Sequence, residues 1–168
     1  DEEPVSILDV AGDDLSNVLA IHSMSKRSNL AGYRAAFVAG DSRLIQRLLE
    51  IRKHAGMIMP APVQEAMIAA LGDSEHVVNQ RDRYLRRREI LSRALADAGF
   101  TIELSQAGLY LWVTRGEAAL ATVEWFAERG ILVVPGTFYG AAGMQHVRIS
   151  LTATDERIAA AERRLASR

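Results

Sequence analysis

Apolar residues divide the first half of the chain into short strands and helices. A four-residue apolar run at 18–21 predicts a strand that is buried on both faces, as in a parallel sheet. Residues 33–39 predict a second strand that ends at Gly40, and either Asp41 or Ser42 is positioned to cap the helix that follows. Apolar residues at helical spacing predict three helices, over 44–51, 63–71 and 74–98.

The second half alternates strands and helices in an α+β pattern. Its clearest strand covers residues 146–151, where His146, Arg148 and Ser150 share one face and apolar residues share the other. Thr154 is predicted to cap a final helix. The other predicted elements are strands over 100–104, 109–114 and 131–134, a helix over 117–129 and a glycine-containing loop over 135–143.

Composition narrows the classes of function. Twenty basic and 21 acidic side chains leave a net charge of −1, which favours neither nucleic acid nor an anionic membrane as a partner. There is no cysteine, and no apolar stretch approaches the roughly 20 residues that cross a bilayer. The four histidines lack the paired spacing of a metal site. We therefore expect a cytoplasmic protein without a metal.

Lysine is rare in this chain, and one lysine stands at a site suited to chemistry. Only Lys26 and Lys53 are lysines, and arginine, which cannot deprotonate, supplies the other basic residues. Lys26 follows the carboxyl end of the first predicted strand, where α/β sheets place ligands. Ser23 and Arg34 add a hydroxyl donor and a forked positive charge, which together suit a phosphate group.

These residues belong to a longer run that resembles the lysine signature of class I and II, fold type I aminotransferases. The resemblance implies that Lys26 forms a Schiff base with pyridoxal 5′-phosphate and acts as the catalytic base. It also implies that Ser23 and Arg34 bind the cofactor phosphate and that Ser25 contacts the cofactor. The run is Ser23-x-Ser25-Lys26-x-x-x-Leu30-Ala31-Gly32-x-Arg34.

A second block, residues 130–150, resembles the small-domain block of the same family. By that resemblance Arg148 binds the α-carboxylate of the amino acid in a bidentate pair. Two further runs look most like those of N-succinyldiaminopimelate aminotransferases of lysine biosynthesis. They are Arg52-Lys53-His54-Ala55-Gly56-Met57 with Pro62-x-Gln64, and Ala107-Gly108-Leu109-Tyr110-Leu111-Trp112.

The resemblance implies an α/β fold. Residues 1–72 would be the end of a mixed, mostly parallel sheet in the large cofactor-binding domain, and residues 73–168 a small α+β domain. It further implies a homodimer that moves an amino group between an amino acid and a 2-oxo acid. Asp1 and Glu2 do not match the family's D-E-x-Y motif, because Pro4 replaces its tyrosine. We expect the aspartate that pairs with the pyridinium nitrogen to lie outside this chain.

Alternative interpretations remain open. Ser23 and Lys26 also satisfy the S-x-x-K pattern of penicillin-binding enzymes, although the accompanying S-D-N and K-T-G strings are missing. The chain could be a non-catalytic fragment or a dimerisation module, or part of a lyase or decarboxylase on the same fold. Arg148 could also be a structural residue without a binding role, on the exposed face of an edge strand. Trp112 and Trp125 are predicted to be core residues.

Overall fold

The structure is a computed structural model that describes residues 5–167. The comparison of Asp1 and Glu2 with the D-E-x-Y motif lies outside these residues. The chain divides between Asn79 and Gln80 into two compact units, and a helix over Glu75–Asp97 crosses the division. Within residues 5–167, no helix has both the length and the apolar character that crossing a bilayer requires.

Residues 5–79 combine a two-stranded sheet with helices. Met24, Ala35 and Met67 form the small buried core of this unit. A capping box of Ser6 and Asp9 starts a short first helix that the sequence reading missed. The elements are α1 (Ile7–Ala11), β1 (Leu19–Ser23), α2 (Met24–Arg27), a 3-10 turn (Ala31–Tyr33), β2 (Ala36–Gly40), α3 (Ser42–His54) and α4 (Ala61–Gly72).

Strand β1 differs from its prediction. It pairs with β2 in an antiparallel register that joins Leu19 to Gly40 and Ser23 to Ala36. Most of its side chains are exposed, and Ile21 is 77% exposed. Within residues 5–79, β1 thus differs from the predicted parallel strand buried on both faces, because it has one antiparallel neighbour and an apolar run does not reveal which segment covers it. The broader prediction of a mixed α/β fold is confirmed.

Asp41 caps α3 and connects it to the segment before β1. Its carboxylate accepts hydrogen bonds from the backbone N–H groups of Arg43 at 2.9 Å, Leu44 at 3.4 Å and Asn17 at 2.9 Å. The Arg43 guanidinium adds an ion pair at 3.1 Å. The hydrogen bond from Arg43 and the backbone donors hold the pKa of the Asp41 carboxyl well below its ordinary range. Asp41 is thus confirmed as the cap.

This arrangement predicts a pH-dependent effect of Asp41→Asn. The pKa of Asp41 is lower in the folded chain than the value of about 4 expected in the unfolded chain. Ionised Asp41 therefore stabilises the fold at pH values above the pKa of this carboxyl in the unfolded chain. The contribution is lost as the pH falls through the pKa of the folded chain. Urea-unfolding midpoints should show a larger loss in the variant at neutral pH than in acid. An equal loss at both would contradict the prediction.

Gly40 allows a close approach between the two segments at the end of the sheet. Its φ is 135°, and a Cβ atom would lie 2.1 Å from the carbonyl oxygen of Val18. We expect Gly40→Ala to lower the free energy of unfolding by roughly 2–4 kcal/mol through this clash and the strained backbone. Gly32→Ala is a control, since a Cβ there meets nothing within 4 Å. Urea unfolding should show the larger loss for Gly40→Ala.

Residues 80–167 contain four strands, β3 (Thr101–Glu103), β4 (Tyr110–Thr114), β5 (Val134–Pro135) and β6 (His146–Ser150), which form an antiparallel sheet in the order β3-β4-β6-β5. Apolar side chains of β4 and β6 pack with those of the helices in one buried core. Thr154 caps the last helix by accepting a hydrogen bond from the Arg157 N–H at 3.4 Å, as predicted. The α-helices are α5 (Glu75–Asp97), α6 (Ala119–Glu128) and α7 (Asp155–Ala166).

The alternation predicted for β6 is confirmed. Val147 and Ile149 are buried, and Arg148 lies half-buried on the opposite face. The register pairs Arg148 with Trp112 and places Tyr110 opposite Ser150 on β4. One face of the sheet therefore belongs to the core, and the other carries aromatic and polar side chains.

Two predictions for this unit are wrong. The strand predicted over 131–134 is limited to Val134–Pro135, because the Ile131 N–H bonds to the Phe126 carbonyl at 2.9 Å and completes the end of α6. Trp112 is half-buried on the face opposite the core, because the two-residue period of β4 directs its neighbours Leu111 and Val113 inward.

Candidate functional site

The turn that carries Lys26 is fixed by the residue at its start. Met24 is completely buried, and its N–H donates to the Ala35 carbonyl at 3.0 Å. The Met24 carbonyl accepts from the Ser28 N–H at 3.1 Å, which closes α2. The side chain of Met24 thus anchors the turn in the core, while the hydrogen bond to Ala35 connects it to the beginning of β2.

Arg27 adds a second anchor to this turn. Its Nη1 donates to the Ala70 carbonyl on α4 at 2.8 Å and to the Ser28 hydroxyl at 3.1 Å. A charged hydrogen bond between parts of the chain 43 residues apart restricts the movement of α2 relative to α4. Sequence reasoning did not identify Arg27, since this role depends on the distant Ala70 carbonyl.

Lys26 is exposed, and its amine has no hydrogen-bond or ion-pair partner in the described part of the chain. The other lysine, Lys53, has its Nζ 2.7 Å from a Glu50 carboxylate oxygen. Lys26 therefore presents a free amine on an anchored backbone, whereas Lys53 is part of a surface ion pair.

Arg34 lies in the same hairpin of β1 and β2, at the end of the loop that joins the two strands. The register joins Ser23 to Ala36, so the lysine turn and the residues before β2 meet at one end of the sheet. Arg34 adopts a left-handed conformation, with φ 54° and ψ 37°, which is uncommon for a residue other than glycine. Its Nη1 donates to the Ala31 carbonyl at 2.9 Å, and the residue is exposed.

The donors in this hairpin suit the groups of pyridoxal phosphate. The Ser23 oxygen accepts from the Ser25 N–H at 3.2 Å, which leaves its own hydroxyl hydrogen available. A hydroxyl and a guanidinium suit a phosphate, and the amine of Lys26 suits an aldehyde. The segment from Ser23 to Arg34 thus carries all four candidate residues at one end of this sheet, whereas Arg148 lies in the other unit.

Arg148 is held by aromatic rings and has no acidic partner in the described chain. Its guanidinium carbon lies 4.1 Å from the centre of the Tyr110 ring and 5.5 Å from that of Tyr139. The Nε atom is buried and has no hydrogen-bond partner among residues 5–167. A buried donor without an acceptor is costly, and an added carboxylate would satisfy it.

Aromatic and polar contacts continue across this sheet face. The Trp112 ring stacks on His146 at 5.1 Å and meets the Tyr139 ring edge-on at 5.6 Å. His146 Nε2 lies 3.0 Å from a Glu103 carboxylate oxygen. The sequence reading missed the two tyrosines, although the strand period places Tyr110 on the same face as Trp112. Nothing in the local sequence indicates that Tyr139 reaches this face.

The glycine-containing loop brings Tyr139 to the sheet. A Cβ atom on Gly136 would lie 2.3 Å from the Gly143 carbonyl oxygen and 2.9 Å from the Trp112 ring. A Cβ atom on Gly143 would lie 2.1 Å from the Gly136 carbonyl oxygen. The two glycines therefore allow the loop to fold back on itself beside Trp112, with Tyr139 between them in sequence.

The sequence is similar to those of known aminotransferases over nearly the whole of this chain. The chain is 60% identical to a 4-dedimethylamino-4-oxo-anhydrotetracycline transaminase of Streptomyces rimosus, over 98% of this chain and 46% of that protein. It is 58% identical to a probable aminotransferase of Mycobacterium tuberculosis, over 98% of this chain and 40% of that protein. An LL-diaminopimelate aminotransferase of Dehalococcoides mccartyi is 36% identical, over 93% of this chain and 41% of that protein. The chain thus spans less than half the length of these relatives.

Solved structures show the same relationship. An aminotransferase of Neisseria meningitidis superposes with a TM-score of 0.85 at 33% identity, covering 97% of this chain and 43% of that one. A probable N-succinyldiaminopimelate aminotransferase of Thermus thermophilus gives a TM-score of 0.84 at 27% identity, covering 98% and 45%. The family model described as aminotransferase class I and II matches residues 2–165, and this chain belongs to that family.

Proposed function

We propose that the complete protein is an aminotransferase that moves an amino group between an amino acid and a 2-oxo acid. Pyridoxal 5′-phosphate is the cofactor of this family. The observation that carries the proposal is the uncommitted amine of Lys26 on a turn anchored by Met24 and Arg27. The anchored backbone gives this amine a defined starting position from which it can react with an aldehyde.

We propose a role for each candidate residue. When bound, the cofactor supplies an electron sink for the carbon that loses a proton. Lys26 binds the cofactor aldehyde and moves a proton at the substrate Cα, while Ser23 and Arg34 bind the phosphate and Ser25 contacts the cofactor. Arg148 binds the substrate carboxylate with its free donors. We assign these residues to two domains, 1–72 and 73–168, of a homodimeric enzyme.

For the substrate we propose N-succinyldiaminopimelate. The support is the likeness to the Thermus protein named for that substrate. The relatives named LL-diaminopimelate aminotransferases make unmodified LL-diaminopimelate the competing candidate. The two compounds differ in a way that a binding site distinguishes, because succinylation replaces one ammonium group with an amide and adds a carboxylate. Initial rates with each donor and 2-oxoglutarate, measured on the complete protein, decide between them. A higher kcat/KM for unmodified LL-diaminopimelate would refute the substrate assignment.

Borohydride reduction tests the proposed chemistry directly. The complete protein is incubated with pyridoxal phosphate, reduced with sodium borohydride and digested, and the modified lysine is located by mass spectrometry. We expect the reduced adduct on Lys26, with Lys53 as the internal control within this chain. An adduct on neither lysine, or on both equally, would contradict the proposed role of Lys26 and favour a non-catalytic or dimerisation role for this part of the protein.

A further inference from the structure

The contacts of Arg148 leave its hydrogen-bond donors free. An aromatic ring meets the flat face of a guanidinium, whereas a carboxylate or carbonyl oxygen occupies the N–H groups at its edge. The guanidinium carbon of Arg148 lies over the Tyr110 ring at 4.1 Å and over the Tyr139 ring at 5.5 Å, and its buried Nε has no acceptor within residues 5–167.

Arg87 shows the alternative arrangement in the same unit. Its Nε donates to an Asp155 carboxylate oxygen at 2.6 Å, and its Nη1 donates to the Leu151 carbonyl at 3.1 Å. Tyr84 also lies near its guanidinium, at 5.8 Å. Arg87 is thus an arginine whose donors the protein itself uses, and it provides a matched reference for Arg148.

The position of Tyr139 depends on the glycine loop. Gly136 and Gly143 contact each other so closely that neither has room for a Cβ atom, and Gly136 also lies against Trp112. Trp112 in turn meets the Tyr139 ring edge-on. The ring of Tyr139 is thereby fixed from the loop side, and Tyr110 is fixed by its place in β4.

We propose that Tyr110 and Tyr139 are positioning residues that orient the guanidinium of Arg148 so that its donors face an incoming carboxylate. The proposal rests on the proposed function, since it concerns the same substrate group. The rings fix the plane of the guanidinium and shield it from water without using its N–H donors. An acidic residue in their place would bind those donors and compete with the substrate.

Binding of 2-oxoglutarate to the complete protein, measured by isothermal titration calorimetry, tests this inference. We expect Tyr139→Leu to weaken binding roughly tenfold, because the contact with the arginine is lost. Tyr139→Phe keeps the ring and should bind within about twofold of the unaltered protein. Tyr84→Leu should leave the affinity unchanged, because Tyr84 lies beside Arg87, whose Nε and Nη1 already donate to Asp155 and Leu151. In turnover, the loss in Tyr139→Leu should appear mainly in KM.

The outcomes separate this inference from the proposed function. Unchanged affinity in Tyr139→Leu, or equal losses in the Leu and Phe variants, would overturn the role of the ring. Unchanged affinity in Arg148→Leu would overturn it as well, because the tyrosines would then have no binding group to orient. If the affinity depends on Arg148 and Tyr139 while Lys26 forms no reducible adduct, the proposed function fails and the positioning role stands.

Discussion

Replacement of Lys26 by alanine is expected to reduce kcat for amino transfer in the complete protein by roughly a thousandfold or more. The variant loses both the amine that binds the cofactor aldehyde and the base that moves the proton. Its backbone should change little, because Met24 and Arg27 anchor the turn and the exposed Lys26 side chain makes no hydrogen bond or ion pair within residues 5–167. Single-turnover rates and the borohydride-reducible adduct measure the two losses separately.

Lys53→Ala is the control for this experiment. It removes the other lysine of the chain and an exposed ion pair with Glu50, which contributes less than about 1 kcal/mol to stability. We expect nearly unchanged kcat and an unchanged adduct on Lys26. If Lys26→Ala retained both turnover and the adduct while Lys53→Ala lost them, the assignment of the two lysines would be reversed.

Replacement of Arg148 by leucine is expected to lower kcat/KM by roughly a hundred- to a thousandfold, with most of the change in KM. The estimate follows from the loss of charge-assisted hydrogen bonds worth about 1.5–3 kcal/mol each. The carboxylate keeps its charge throughout the reaction, so its binding contributes similarly to the ground state and the transition state. Arg148→Lys should recover only part of the loss, because an ammonium group lacks the fork.

Arg129→Leu is the control for Arg148→Leu, because it removes an arginine that contacts an aromatic ring but is not proposed to bind the carboxylate. Arg129 lies 3.7 Å from the centre of the Trp125 ring and also has a buried Nε without a partner in the described chain. Its Nη1, however, donates to the Trp125 carbonyl at 3.0 Å. We expect this variant to lose stability and retain kcat/KM within about twofold. A loss of kcat/KM equal to that of Arg148→Leu would contradict the proposed role of Arg148.

Sequence patterns predicted the features that depend on neighbouring residues. The caps at Asp41 and Thr154 need only the first turn of a helix, and the alternation around Arg148 needs only one extended strand. The family resemblance was equally accessible, because its motifs are continuous runs. The family model confirms the membership, while the roles of the individual site residues stay predictions.

Features that depend on distant segments were not predictable in the same way. The apolar run of β1 gave no information about its antiparallel partner, so its burial was overestimated. A large aromatic residue such as Trp112 favours a core position, but the pleat of β4 directs it to the other face. Tyr139 reaches Arg148 only because Gly136 and Gly143 fold the loop back, which is a property of three-dimensional packing.

Asp41 has a consequence for how the first unit opens. Its side chain binds the amide of Asn17, and its own amide binds the carbonyl of Val18 at 2.8 Å, while the same carboxylate caps α3. The helix start and the segment before β1 therefore act as if joined by a noncovalent crosslink. When either segment opens, the hydrogen bonds of Asp41 to the other segment are weakened as well. The backbone amides of both segments are therefore expected to exchange with solvent through a shared local opening.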